Sequence, residues 1–309
     1  MGQCMQRKHH RRCRSTKAVA AIRNPAAILA ALLVGLTASP SHAECGSLAT
    51  EVDARCYSDN LQAAVDDALS SDRPLVLPRG TYRISRPLVI DYAAHAGTGF
   101  ELISRGAIID GTSISDAPAV KILCSGGSRA APSGCFYFHQ EGTLFVNARS
   151  SGYAVVIGKP DFTDAHNSIR IDHLIVNNNS SGSEASGVQL NYVLNAEMFI
   201  VADAAGGGNG IALEQVQFSV LHGAGSAATG YALAVENGYS FSNALMSMDL
   251  EESHTCLRLL SVHAHSNSLH APYFNCPVLV EATHQGSNAV TGTDGTTGSA
   301  VVTPVTWLD

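Results

Sequence analysis

From Leu75 onward the apolar positions fall in runs of three to five residues, separated by Gly, Asn, Ser and Asp. They lie at 75–77, 88–90, 101–103, 107–109, 120–123, 136–138, 143–146, 154–157, 169–171, 174–176, 188–190, 198–201, 211–213 and 218–220. Runs so short, bounded by turn residues, predict strands, and strands so numerous predict a sandwich, a barrel or a coiled solenoid. Ahead of them the spacing changes. Leu61, Val65 and Leu69 recur on one helical face, Asp59 stands at the N-cap position, and Asp72-Arg73-Pro74 ends the pattern. A helix is expected over 59–69, and none after it.

Internal repetition separates the three architectures. Ser242-Asn243-Ala244-Leu245, Ser266-Asn267-Ser268-Leu269 and Ser287-Asn288-Ala289-Val290 are one motif recurring after 24 and then 21 residues. A second strand type interleaves with it, beginning at Gly187, Gly210, Gly230, Thr255 and Pro277. A unit of about 20–26 residues carrying two or three strands predicts an all-β parallel β-helix, each winding stacked on the last at about 4.8 Å. The recurring Asn is expected to form a side-chain amide ladder at a turn. A sandwich would need hairpin turns, and Asn-Gly or Asp-Gly pairs do not sit between paired runs.

The opening of this pattern, Asp59-Asn-Leu-Gln-Ala-Ala-Val-Asp-Asp-Ala-Leu followed by Pro74-Leu-Val-Leu-Pro-Arg-Gly-Thr-Tyr-Arg-Ile, resembles the cap helix and first coil of the pectin-lyase-like superfamily. Its most specific piece is Leu-Pro-x-Gly-Thr-Tyr, Leu77 to Tyr82. The resemblance implies a right-handed, single-stranded parallel β-helix with a short N-terminal capping helix. It also implies carbohydrate-active relatives: pectate and alginate lyases, polygalacturonases, epimerases and phage tailspike hydrolases. It does not choose among them.

Charge and cysteine narrow the setting. Residues 7–23 hold seven Lys/Arg and no acid, the apolar run 26–38 follows, and Ser41-His42-Ala43 is a small-x-small cleavage site. Residues 1–43 therefore read as an export signal, and 44–309 as a single β-helix domain that is secreted or periplasmic. The apolar run is too short for a comfortable membrane span, so no integral membrane segment is expected in the mature chain. That chain keeps 12 Lys/Arg against 26 Asp/Glu, a formal charge of −14. After residue 170 the only Lys or Arg is Arg258, against 12 acids. This excludes nucleic acid as the main partner and disfavours polyanions on the C-terminal half. Six cysteines remain in three close pairs, Cys45/Cys56, Cys124/Cys135 and Cys256/Cys276. Nearest-neighbour disulfides are favoured among fifteen connectivities.

No complete catalytic motif of the resembled group is present. Its polygalacturonases would need Asn-Thr-Asp and an Asp-Asp pair, its epimerases Asp-Pro-His. Arg170-Ile171-Asp172-His173 is similar to the Trp-Ile-Asp-His of its pectate lyases but lacks the Trp. Arg170, Asp172 and His173 are substrate-binding candidates, with Ile169 and Ile171 inside. The catalytic candidates are Asp249 and Glu251, which share one face of a strand about 6.5–7 Å apart at the backbone. Such a pair suits glycoside hydrolysis, with mutual repulsion raising one pKa. Taking Val216 as the residue equivalent to Asn243 places His222, Asp249 and the substrate-binding candidate Tyr273 in one outward column. His263, His265 and His270 read as surface imidazoles, and no metal ligand set is assigned.

These features favour a secreted polysaccharide-active enzyme, a hydrolase of a neutral or weakly charged glycan. A lyase acting on a uronate glycan is the alternative and would call for Ca²⁺ as the only cofactor. A non-catalytic glycan-binding or cell-surface β-helix is the other. No coiled-coil or terminal assembly segment marks an oligomer.

Overall fold

The computed structural model describes residues 45, 50–95, 98–125, 135–163, 165–236, 238–260, 263–282, 288–291, 300–302 and 306–308. The expected export signal lies outside them. Asn60, rather than Asp59, caps the helix Leu61–Ser71, its side-chain oxygen accepting from the Ala63 N–H at 3.2 Å. Asp72 ends the helix in the left-handed region (φ 54°). Leu61, Ala64, Val65 and Ala68 are buried against the strands Val52–Asp53, Leu75–Leu77 and Leu88–Asp91. The helix thus covers the open apolar end of the coil. No helix of the described residues is long and apolar enough to cross a membrane.

All the strand pairs are parallel, as a β-helix requires. The first wall runs Val52–Asp53, Leu75–Leu77, Phe100–Gly111, Phe138–Ala148, Arg170–Asn178, Glu197–Ala204, Val220–Ala227, Ala244–Glu251, Ser268–His270, Ala289–Thr291 and Thr306–Leu308. The second runs Leu88–Asp91, Val120–Leu123, Tyr153–Ile157, Ser186–Asn191, Asn209–Glu214, Tyr231–Val235, Thr255–Leu259, Val278–Ala282 and Ala300–Val302. A narrow third wall holds Cys135–Phe136, His166–Asn167 and Val193–Leu194, continued by single bridges through Gln217, Phe241 and His265. The chain visits the walls in turn, so each winding adds a strand to each sheet.

Inward residues stack in register. Val155, Val188, Ile211, Leu233, Leu257 and Val280 form one aliphatic column, and Ile157, Leu190, Leu213, Val235, Leu259 and Ala282 a second. Burying each Val, Leu or Ile contributes about 1.5–3 kcal/mol. The repeat expected at Gly230 is two residues out of phase, because Leu233, not Tyr231, pairs with Ile211. Tyr231 instead lies outside, under the Arg258 guanidinium.

Several apolar runs that the spacing separates are halves of one strand. The runs 101–103 and 107–109 belong to Phe100–Gly111, and 174–176 with the last two residues of 169–171 to Arg170–Asn178. A left-handed residue interrupts the alternation at Gly106 (φ 79°), Gly142 (φ 76°), Gly223 (φ 128°) and Ser247 (φ 50°), and in Arg170–Asn178 a register shift between Ile171 and Leu174 does the same. At Gly142 a Cβ would lie 2.2 Å from the Ser104 carbonyl oxygen, so this bend requires glycine.

The amide ladder is present. Asn267 Oδ1 accepts from both the backbone N–H and the Nδ2 of Asn243, at 3.2 and 2.9 Å. Asn288 does the same for Asn267, at 3.1 and 3.0 Å. In the preceding winding Ser219, not Val216, takes the equivalent place: its N–H donates to Asn243 Oδ1 at 3.1 Å. Phe218 there adopts the left-handed conformation that Ser242 and Ser266 repeat. The three-residue offset breaks the expected column, as shown below.

The disulfides Cys45–Cys56, Cys124–Cys135 and Cys256–Cys276 are formed as the nearest-neighbour pairing anticipates. Beside the second of these, His166 is fully buried and shares a 2.8 Å hydrogen bond with the Tyr92 hydroxyl. Burial pushes its pKa down to about 4, with Asp91 opposing. A depressed folded-state value means that stability is complete above the unfolded value near 6.5 and falls as pH drops through the folded one. The difference corresponds to about 3 kcal/mol lost between pH 6.5 and about 4. Urea midpoints followed across that range should show this slope in the wild type and lose most of it in His166→Phe. A wild-type slope unchanged in the variant would assign the acid sensitivity elsewhere.

Candidate functional site

Three outward-facing clusters carry chemistry. The first lies on the first wall, where Arg170, Asp172 and His173 leave the strand Arg170–Asn178 at its bend. With Gly142, Glu197, Phe199 and His222 they line an open groove of about 430 Å³. Ile169 and Ile171 point inward, as the alternation requires. Asp172 accepts from the Gly142 N–H at 3.1 Å and from Arg170 Nε at 3.2 Å. Burial alone would push its carboxyl up. The Gly142 N–H, His139 and Arg170 outweigh burial and hold it below the ordinary range. His173 lies against Phe199, ring centroids 4.5 Å apart, and His222 pairs with Phe199 on the next strand.

His222 therefore joins the Arg170 cluster and not Asp249. Its partner on Ala244–Glu251 is Met246, while Asp249 pairs with Ala224. The expected His222–Asp249–Tyr273 column is corrected on this point, because Ser219 replaces Val216 as the equivalent of Asn243. The left-handed Ser247 shifts the register further. The other half of that column holds: Asp249 is paired with Tyr273, and Glu251 with Asn275. Asp249 and Glu251 stand two apart on one strand face. Asp249 Oδ1 is buried without a hydrogen-bond partner, and its carboxyl pKa is raised. Burial is the cause, not the repulsion from Glu251 that the sequence led us to expect.

The third cluster was not visible in the sequence reading. On the outer face of the second wall, Glu214 follows the paired Leu213, and Glu236 follows Val235 on the next winding. In-register strands lie about 4.8 Å apart, so the two glutamates are neighbours. Ala212 and Ala234 leave the wall between their flanks low. Glu214 Oε1 accepts from Gln189 Nε2 at 2.7 Å, both groups buried. Burial pushes the Glu236 carboxyl up. Asn209 and Arg258 oppose this, and Glu214 and Glu184 reinforce it. Arg258 NH1 lies 3.7 Å from Glu236 Oε1, its guanidinium 4.1 Å from the Tyr231 ring. Asn209 Nδ2 donates to the Tyr153 hydroxyl at 2.8 Å, and burial raises that phenol well above its ordinary range. Asn209 Oδ1 and Arg258 Nε are buried and have no hydrogen-bond partner. Buried polar atoms without a partner are rare in folded proteins.

A signal for this cluster exists in the chain. Ala212-Leu213-Glu214 and Ala234-Val235-Glu236 repeat a small residue, a core aliphatic and a glutamate at a separation of 22. The arrangement sets two carboxyls side by side in different surroundings, one biased toward its neutral form and one receiving a hydrogen bond. This is the division of labour that acid–base chemistry needs. The histidines beyond it have a plainer setting: His263 stacks on Tyr239 and His265 on Phe241, centroids 4.1 and 5.0 Å apart.

No protein-family model matches the sequence, and no curated protein matches it. Among solved structures the chain is similar to a family 28 exopolygalacturonase of Yersinia enterocolitica, at 11% identity and a TM-score of 0.48, over 81% of this chain and 60% of that one. It is similar to tailspike protein 2 of the Escherichia coli O157:H7 bacteriophage CAB120, at 11% identity and a TM-score of 0.42, over 79% of this chain and 38% of that one. It is also similar to ORF18 of Geobacillus virus E2, at 9% identity and a TM-score of 0.40, over 78% and 61% of the two chains. The chain thus spans less than two thirds of the length of each. The fold itself, a right-handed parallel β-helix with a helical cap, rests on the strand register of this chain.

Proposed function

We propose that the protein is an exported polysaccharide-active enzyme, a glycoside hydrolase whose two carboxyl groups are Glu214 and Glu236. The observation that carries this reading is their pairing on neighbouring windings, beside the unsatisfied Asn209 Oδ1 and Arg258 Nε. Glu236, whose proton burial retains to higher pH than an exposed glutamate would, donates it to the glycosidic oxygen as the bond to the anomeric carbon breaks. Glu214 acts on the opposite side of the sugar, as base toward water or as nucleophile. The first-wall groove with Arg170, Asp172, His173 and His222 offers a second surface for an extended chain, and Tyr273 beside Asp249 another.

Charge favours a neutral or weakly charged glycan: the mature chain carries −14, and Arg258 is the only Lys or Arg after residue 170. Three disulfides fit an oxidising compartment outside the cytoplasm. The test is release of reducing ends from a panel of polysaccharides, neutral and acidic. Release from a neutral member, without ultraviolet absorbance from an unsaturated uronate, is the expected result. Absorbance from an unsaturated uronate would replace hydrolysis by elimination. Binding with no bond cleavage anywhere in the panel would make the chain a glycan-binding β-helix.

A further inference from the structure

We propose that Glu101, His139 and Glu141 form a binding site for a transition-metal dication, Zn²⁺ in the first instance, at the upstream end of the first-wall groove. Glu101 and His139 are register partners on adjacent windings, and Glu141 stands two residues beyond His139 on the same face. One ligand atom from each lies within 4.8 Å of the others. A dication at the usual 2.0–2.2 Å from nitrogen and oxygen ligands fits among them with small side-chain rotations.

The imidazole supplies the stronger argument. His139 Nδ1 faces Glu101 Oε1 at 3.5 Å, and Nε2 faces Asp172 Oδ1 at 3.6 Å on the other side of the ring. Nε2 is buried and makes no hydrogen bond. Asp172 is itself fixed by the Gly142 N–H and by Arg170 Nε. Metal-bound histidines characteristically give their second N–H to a carboxylate, which sets the tautomer and orients the ring. Here that carboxylate is in place and already held. A slight turn of the ring brings Nε2 within bonding distance of Asp172 and turns Nδ1 toward the two glutamates.

The donor set selects among metals. One imidazole and two carboxylates suit Zn²⁺ and similar dications. Ca²⁺ takes six to eight oxygens, which this site does not offer. Three protein ligands leave a position open toward the groove, where a hydroxyl or carboxylate of a bound chain can enter.

The experiment is calorimetric titration of chelator-stripped protein with ZnCl₂, repeated in excess CaCl₂, with melting temperature as a second readout. One saturable site that survives Ca²⁺ is expected, with a raised melting temperature. His139→Ala and Glu141→Gln should each remove that site. Asp172→Asn should weaken it about 10–100-fold without removing it. Glu252→Gln, on an exposed turn, should leave it unchanged. Unaltered Zn²⁺ stoichiometry and affinity in both His139→Ala and Glu141→Gln would overturn the proposal. So would displacement of Zn²⁺ by equimolar Ca²⁺, which would reduce the cluster to acidic surface. These readouts use no substrate, so they stand or fall apart from the glycosidase reading.

Discussion

Glu236→Gln is expected to lower kcat on the hydrolysed polysaccharide by about 10²–10⁴-fold, the usual contribution of a positioned acid. KM should change little, because glutamine fills the same volume and still offers an oxygen to Asn209. What it lacks is the proton. Glu214→Gln should cost as much, and the double variant scarcely more than either, because the two groups act in one step. The pH dependence has a definite sign. Burial raises the Glu236 carboxyl above the ordinary glutamate range, so the acid form persists to higher pH than for an exposed glutamate. The alkaline limb of the rate profile belongs to it and should vanish in Glu236→Gln. Stability follows the same direction. The contribution from the bound proton is complete below the unfolded value and is lost as pH rises through the folded one. Glu236→Gln should therefore lose this contribution and keep only the opposing slope that His166 sets at acid pH. Full activity in Glu236→Gln, with loss in Asp249→Asn, would move the active centre to the first wall and to the pair favoured by the sequence.

That contrast shows what a single sequence discloses about this molecule. The coil was legible because its period is written in core residues. Leu or Val in every winding must face inward, and Asn243, Asn267 and Asn288 must meet at one turn. The disulfides were legible because close cysteine pairs close short loops. The candidate site was not, because outward positions are free to vary from winding to winding and follow no period. Glu101, His139 and Asp172 lie on three windings and more than 30 residues apart, yet adjoin. Glu214 and Glu236 are less hidden, being 22 residues apart. The strand motif aligned on Gly230 concealed them by a two-residue slip. Register errors of that size leave the fold intact and dismantle a site. His222 is the clearest case: counted from Val216 it falls beside Asp249, and counted from Ser219 it falls beside Phe199 and Met246.

Asn267→Ala should produce the largest loss of stability among single replacements on the turn, about 3–5 kcal/mol. Its Oδ1 receives the backbone N–H and the Nδ2 of Asn243, and its Nδ2 donates to the Ser240 carbonyl at 3.0 Å and to Asn288 Oδ1. Asn243 Nδ2 keeps its bond to the Val216 carbonyl, and Asn288 Oδ1 keeps the Asn267 N–H. Truncation therefore orphans chiefly the Asn243 N–H and the Ser240 carbonyl. Each buried group left unsatisfied costs about 1–3 kcal/mol, and the vacated volume adds to this. Asn267→Asp separates hydrogen bonding from shape. It keeps an oxygen for Asn243 but turns a second one on the Ser240 carbonyl and Asn288 Oδ1. It should be as damaging as alanine at neutral pH and milder in acid, where the carboxyl carries a proton. Asn267→Ser tests the rung that the chain itself uses two windings earlier. There Ser219 Oγ accepts from the Ala196 N–H at 3.1 Å and donates to the Gln217 carbonyl at 2.9 Å. A hydroxyl can thus satisfy part of the turn, and serine should recover some of the loss. Urea unfolding at constant slope gives the comparison directly. An alanine variant within 1 kcal/mol of wild type, on the scale of an ordinary exposed replacement, would show that the stacked aliphatic columns hold the windings in register without the amide ladder.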